Sequence, residues 1–465
     1  MPNQHTLERA LRYDIHRWSE APSVEEAIRQ LCKELQSIPA FIRRESLTVK
    51  LLKSIILNLY AHSLADSDYY TAYYRMKGKY NKGGRYNTLH ISYSLVSVVD
   101  GLESLGYIEN HLGFYDRRDG GNSRMSRMRA TPKLLRLLSE AHAVHPHMLR
   151  TAPDRECIIL RTPDATGKQR EMDYNDTELT NQLRADVQAY NALLSRSQID
   201  IVLPHDVAEE DRLKPDLTNR FVQRIFNNGC WNQGGRFFGG WWQSLPKRYR
   251  RGITIDGTPS IELDFSGLHI ALLYALEGID YEAEGWSDPY SIDTVEQTPE
   301  LRKLLKTVLL IALNAKDLNT TILAVREEIR TRQDLSWAVD RRINVEELVL
   351  KFLHRHKQIS RYFFSGKGIW LQNIDSSIAA RTLKYLTHLN IPALCLHDSF
   401  IVSQDQFCVL LQAMSTSYCN ELGTRTQRNW DDANPRIKAS GYRADMVNTI
   451  VQENLHTKYD FTYKQ

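Results

Sequence analysis

Two short stretches constrain this 465-residue chain more than anything else in it. The first runs Ser260-Ile261-Glu262-Leu263-Asp264-Phe265-Ser266-Gly267-Leu268-His269-Ile270. It alternates polar and apolar residues up to Asp264, breaks at a small-residue turn, and continues as a helical run. Alternation is the period of a half-buried strand. The second runs from Ile391 to Val402: an apolar strand, a polar His397-Asp398-Ser399 tip, and an apolar strand returning. Each pattern leaves a carboxylate at a strand end. A buried hairpin that carries a His-Asp pair at its tip bears a desolvation cost unless a cation or partner offsets it. Asp264 and Asp398 are therefore the candidate metal ligands. Two carboxylates on neighbouring strand ends can hold two Mg²⁺ ions, with Mn²⁺ as the alternative, about 3.5–4 Å apart. Mg²⁺ takes few protein carboxylates and completes its shell with phosphate oxygens and water, which suits a sparse pair.

Between the two lies Arg302-Lys303-Leu304-Leu305-Lys306-Thr307-Val308-Leu309-Leu310-Ile311-Ala312-Leu313-Asn314, a helical pattern. Arg302, Lys306, Leu310 and Asn314 are spaced by four and share one face. Two cations, an apolar residue and an amide in line could hold a triphosphate and then a base; taken alone, such a helix is ordinarily a solvated basic face. Upstream, Asn232 to Pro246 sets glycine pairs on both sides of Arg236-Phe237-Phe238. Glycine pairs let a backbone approach a ligand closely, or simply make a structural turn.

The N-terminal third has a different character. Residues 41–140 hold 16 Lys/Arg against 9 Asp/Glu, although the whole chain is only +4. Leu47–Leu64 is apolar at helical spacing, and Ile91, Leu95, Val98, Leu102 and Leu105 predict a second helix ending at Gly106. A strand, a loop with Asp119-Gly120-Gly121-Asn122, and a strand carrying Arg124, Arg127 and Arg129 follow. A helix followed by a basic hairpin resembles a winged helix-turn-helix, whose helix enters the major groove while the wing's arginines reach phosphate or the minor groove. Tyr69, Tyr70, Tyr73, Tyr74 and Tyr80, interleaved with basic residues, suit stacking and phosphate contact, or else a core. Residues 1–44 form a helical extension, with a helix over Ser23–Leu35 opened by a Ser23/Glu26 capping box. Residues 141–175 read as a connector; His142, His145 and His147 lack partners at ligand spacing.

Composition narrows the class. With 42% hydrophobic and 25% charged residues the chain is globular rather than disordered. It has no apolar run of eighteen residues, so no membrane partner is expected. The polar, acid-containing N-terminus does not read as a secretory signal. Six scattered cysteines without a C-x-x-C predict reduced thiols in a cytoplasmic protein.

The order Gly235-Arg236 … Gln243-Ser244-Leu245-Pro246, then Asp264-Phe265-Ser266, then Arg302 … Lys306, then His397-Asp398-Ser399 resembles the A-family polymerases. That family includes bacterial DNA polymerase I and the single-subunit phage and mitochondrial RNA polymerases. The motifs span 234–399, about a third of the chain. The resemblance implies an α+β fold: a right-hand polymerase over residues 176–465, with an antiparallel palm sheet, helical fingers and a small helical thumb, behind an N-terminal winged helix over 45–140. It implies that Asp264 and Asp398 bind the metals and that Arg302 and Lys306 hold the triphosphate, Lys306 also as general acid. Leu310 and Asn314 would complete the nucleotide site. Arg236, Gln243 and Gln372 would contact primer–template, and His397 would buttress Asp398. His269 stands where the DNA polymerases carry a ribose-blocking glutamate. Leu310 and Asn314-Ala315 stand where their fingers helix is aromatic. The tip is closer to the RNA polymerases, so ribonucleotide use stays open. The expected function is a template-directed nucleotidyltransferase without proofreading, DNA polymerase or primase-like, with DNA and nucleoside triphosphates as partners. By analogy it would serve replication or priming of a mobile element. The rivals are a catalytically silent DNA-binding initiator or regulator and a two-metal nuclease.

Overall fold

The computed structural model describes residues 10–38, 45–80, 84–116, 123–203, 214–285, 288–292, 296–441, 444–445 and 447–448. The chain divides into two compact units. The first comprises Met1–Cys157, His205–Phe221 and Gly239–Leu245; the second comprises Ile158–Pro204, Val222–Phe238 and Pro246–Gln465. The backbone therefore passes from one unit to the other five times. Among the described residues no helix is long and apolar enough to cross a membrane, and all six cysteines are free.

The core of the first unit forms where the helix Glu45–Ala65 packs on both Pro22–Gln36 and Leu95–Ser104. Val24, Ile28, Leu31 and Leu35 meet Leu51, Ile55 and Leu59 there, all buried. The first helix starts one residue before the expected Ser23. Pro22 takes its first position with φ already preset, so Ser23 lies inside the helix and donates to Met148 Sδ instead of capping. Leu95–Ser104 starts later than Ile91 because His90 is left-handed at φ 54°; the Asn87 amide pairs with both backbone groups of Ile91. Beside the helices lies a four-stranded sheet ordered Ala10–Arg12, Tyr70–Tyr73, Ser126–Ala130, Ile108–His111. The first pair is parallel and the other two are antiparallel. Two later segments return to this unit. The Asp216 carboxylate pairs with the buried Arg17, and Lys214 reaches Asp66 at 3.0 Å.

The second unit is built around an antiparallel sheet ordered Leu394–Leu396, Ser399–Ser403, Thr258–Phe265, Ile253–Ile255, Ile199–Ile201. Ile437–Gly441 also pairs with Thr258–Phe265, so the strand that ends near Asp264 is flanked on both sides. A second sheet runs Gly234–Gly239, Val222–Phe226, Ile158–Pro163, Gln169–Glu171. Helices Glu178–Arg196, Leu268–Leu276, Pro299–Asn314, Gly368–His388 and Phe407–Thr426 are among those that complete the unit. The architecture is thus mixed α+β.

Candidate active site

The strand Thr258–Phe265 runs antiparallel to Ser399–Ser403, and the register sets Asp264 directly opposite Ser399. Asp398 immediately precedes Ser399 in the tight His397-Asp398 turn, and its carbonyl accepts the Phe265 N–H at 3.4 Å. His397 adopts φ 63°, in the left-handed region. A non-glycine residue there is uncommon, and it fixes the turn and with it the position of Asp398. The two aspartates therefore stand at neighbouring strand ends. Their charges interact: burial and the Asp398 charge push the Asp264 carboxyl well above the usual carboxylate range, while Lys247 and Lys306 pull it back.

A carboxylate pair that raises its own proton affinity carries surplus negative charge that a divalent cation relieves. Hard oxygen donors suit Mg²⁺, and these two residues fit it. Among the described residues there is no group of three or more His, Cys, Asp or Glu side chains that could cage a metal.

Glu262, two residues before Asp264 on the same strand face, is buried and bonded to Arg250 at 2.8 Å and to Ser399 Oγ at 3.0 Å. Glu262 also lines a cavity of about 300 Å³, together with Lys247, Arg248, Arg250, Arg251 and Ser260. The sequence reading missed this basic run; the signal was the cluster Lys-Arg-Tyr-Arg-Arg directly after Leu245-Pro246.

The helix Pro299–Asn314 begins with Thr298 capping the Leu301 N–H at 3.1 Å. Its apolar side buries Leu301, Leu304, Leu305, Val308, Leu309 and Ala312. That leaves Lys306, Leu310 and Asn314 exposed. Lys306 makes no ion pair among the described residues, and its charge is felt at Asp264. Arg302 is held: Nε donates to Asp288 Oδ2 at 2.6 Å, Nη2 reaches Ser266 Oγ at 3.4 Å, and the guanidinium lies 5.0 Å from the Tyr290 ring. Burial raises the Asp288 carboxyl, but the bonds from Arg302 and the Tyr290 N–H outweigh it and hold it below the usual value. Asn314 Nδ2 donates to the Leu310 carbonyl at 2.8 Å, and its side chain fills the space in front of Gly368.

Arg236 and His269 meet on a residue the sequence reading passed over. Asp375, in the helix Gly368–His388, is 2% exposed. His269 Nε2 donates to it at 2.8 Å, and Arg236 grips both its oxygens, Nε at 3.2 Å and Nη2 closer. Burial alone would raise Asp375; the bonds from His269 and Arg236 bring it below its ordinary value. Gln372 lies one turn earlier on the same helix and is half-buried. The signal for Asp375 was its place on the apolar stripe of Leu371, Ile378 and Leu386, where a carboxylate requires a cation.

The glycines around Arg236 serve the fold. Gly235, at φ 85°, lies so close to the helix Gly368–His388 that a Cβ would stand 2.9 Å from Ser376 Oγ. Ser376 Oγ also donates to the Gly234 carbonyl at 2.9 Å. The backbone's close approach is to this helix. Arg224 lies buried between the Phe226 and Phe237 rings and donates to the Gly235 carbonyl at 2.8 Å. His397 is exposed and stands edge-on to Phe238 at 5.5 Å. Gln243 belongs to the first unit, where its Oε1 accepts the Gly239 N–H at 3.0 Å. Arg124, Arg127 and Arg129 are also in that unit. Arg129 is tied to Asp68 and Glu109, and Arg127 donates to the Met125 carbonyl at 3.0 Å. The Asp119–Asn122 loop expected between their strands lies outside the described residues.

No family model matches the chain, and no curated protein matches it. Among solved structures it is similar to the POL domain of Pol1 from M. smegmatis in complex with DNA primer-template and dNTP. The identity is 13% and the TM-score 0.29, over 58% of this chain and 52% of that one. The chain thus spans about half the length of that structure.

Proposed function

We propose that the second unit is the catalytic body of a template-directed nucleotidyltransferase with a palm and fingers like those of the A-family polymerases. In this reading the first unit is a winged-helix module that binds nucleic acid. The observation that carries the reading is the register that sets Asp264 opposite Ser399, next to Asp398. Mg²⁺ held by the two carboxylates would lower the pKa of an attacking hydroxyl and neutralise a pyrophosphate leaving group. Arg302, oriented by Asp288, binds the triphosphate. Lys306 Nζ binds it too and gives a proton to the departing pyrophosphate. The cations around the 300 Å³ cavity hold the backbone of the growing strand. Asp375 fixes the imidazole of His269, which meets the sugar, and the guanidinium of Arg236, which meets primer–template.

The test is extension of a templated primer with Mg²⁺ and dNTPs or rNTPs in separate reactions, by wild type, Asp264→Asn and Asp398→Asn. Extension by wild type with release of pyrophosphate, lost in both variants while primer–template binding persists, supports the reading. Release of mononucleotides from a bare strand would identify a nuclease instead. Undiminished extension in either variant overturns the assignment of the aspartates.

A further inference from the structure

The hairpin between Ile108–His111 and Ser126–Ala130 continues beyond the sheet. Phe114 and Arg124 exchange both backbone hydrogen bonds at 2.9 Å, and the Asp116 N–H donates to Ser123 Oγ at 3.0 Å. Gly113 closes on the opposite strand so tightly that a Cβ would stand 2.2 Å from the Arg124 carbonyl oxygen. The projecting part is a paired arm. Three large apolar side chains on it face solvent: Leu112 is 63% exposed, Phe114 54% and Tyr115 74%. Strand alternation puts Leu112 and Phe114 on one face and Tyr115 on the other. Arg124, opposite Phe114, shares its face with the guanidinium 5.5 Å from the ring. It forms no ion pair among the described residues, and its Nε is buried without a hydrogen-bond partner.

We propose that this arm binds single-stranded nucleic acid, with bases stacked on Phe114 and Tyr115 and a backbone phosphate on Arg124. Exposed aromatic faces beside an unpaired cation are what unpaired bases and their phosphates require. The surrounding block, 16 Lys/Arg against 9 Asp/Glu over residues 41–140, complements a polyanion. A duplex is the poorer ligand. The helix Leu95–Ser104, which a groove reader would insert, exposes Ser97, Asp100, Glu103 and Ser104: two carboxylates and no cation. Asp100 is paired with Arg75 at 2.6 Å, which leaves the Glu103 carboxylate to face phosphates. The inference makes no use of the Asp264–Asp398 pair and stands or falls apart from it.

The experiment measures binding of the full chain to fluorescein-labelled oligo(dT), oligo(U) and a blunt duplex of equal length, by anisotropy at several salt concentrations. Phe114→Ala/Tyr115→Ala should weaken both single strands by about tenfold or more and the duplex by much less. Phe114→Trp should keep the affinity. Arg124→Gln should lower the slope of log K against log salt by about one phosphate contact. A 5-iodouracil oligomer should photocrosslink to the peptide carrying Phe114 and Tyr115. Equal losses on duplex and single strands in a variant with unchanged circular dichroism would overturn the proposal. So would crosslinks confined to other peptides, or unchanged oligonucleotide affinities throughout, as expected of an arm that docks protein.

Discussion

His269 Nε2 lies 2.8 Å from a carboxylate oxygen of Asp375, 106 residues further along the chain, and Arg236 closes on the same group. Two residues with separate expected roles, one for the sugar and one for primer–template, are thus fixed by one buried anion. Asp375→Asn should lower stability by about 3–5 kcal/mol, the scale for breaking a buried charge cluster from one side. It should also impair sugar discrimination and primer binding together. Urea unfolding and parallel dNTP/rNTP extension assays check this; loss of one function alone would show that the two side chains are positioned independently.

Asp264 sets a pH dependence of the metal-free protein. Its carboxyl, at 3.8 when unperturbed, is pushed up to about 7 by burial and then by Asp398. Between those values the folded state holds the extra proton, so its contribution to stability falls as pH rises through the window and is lowest above about 7. Asp264→Asn should remove that slope and raise Tm at pH 8 more than at pH 5. Mg²⁺ should raise the wild-type Tm at pH 8 and have much less effect on the variant. Thermal scans with and without Mg²⁺ at both pH values decide it.

The two cations of the helix Pro299–Asn314 should separate kinetically. Lys306 is exposed and free of ion pairs among the described residues, which leaves its ammonium open to a substrate. Lys306→Met should lower kcat/KM for the nucleotide by about 10²-fold, the scale of lost proton transfer and charge stabilisation. Arg302 is already oriented by Asp288. Asp288→Asn should therefore raise the nucleotide KM several-fold while leaving kcat close to wild type. Steady-state kinetics on both variants checks the distinction.

His356 should make the second unit sensitive to acid. It is fully buried, accepts from the Tyr274 hydroxyl at 3.0 Å and donates to the Pro289 carbonyl at 2.9 Å. Both ring nitrogens are thereby committed to the neutral form, and burial lowers its pKa from 6.5 to about 4. Stability from this group is complete above about 6.5 and is lost as pH falls towards 4, where the unfolded chain takes up the proton first. The pH-slope of the urea midpoint over that range should flatten in His356→Gln. An unchanged slope would assign the acid sensitivity elsewhere.

Local patterns in the sequence carried much of this. Four-residue spacing located the Arg302 helix, alternation located the strand ending at Phe265, and the apolar runs around His397-Asp398 located the hairpin. These are short-range signals, and the side chains that make them are adjacent in space. What escaped was long-range pairing. Nothing near Asp288 or Asp375 in sequence announces Arg302 or Arg236 as a partner, and helical periodicity treats a buried carboxylate as noise. The Gly234-Gly235 pair read either as room for a ligand or as a structural turn; the structure sets Ser376 against it. The parallel pairing of Ala10–Arg12 with Tyr70–Tyr73 likewise has no local cause.

The five passages of the backbone between the units govern how this protein can be taken apart. A fragment ending at Cys157 would strand Arg17 without Asp216 and Asp66 without Lys214, and would leave behind the buried Trp241 and Trp242, which come from the second half of the sequence. Single cuts will therefore yield sticky, half-built pieces. Division of labour between the units is best probed by point changes in the intact chain, or by rejoining the segments in a new order with short linkers.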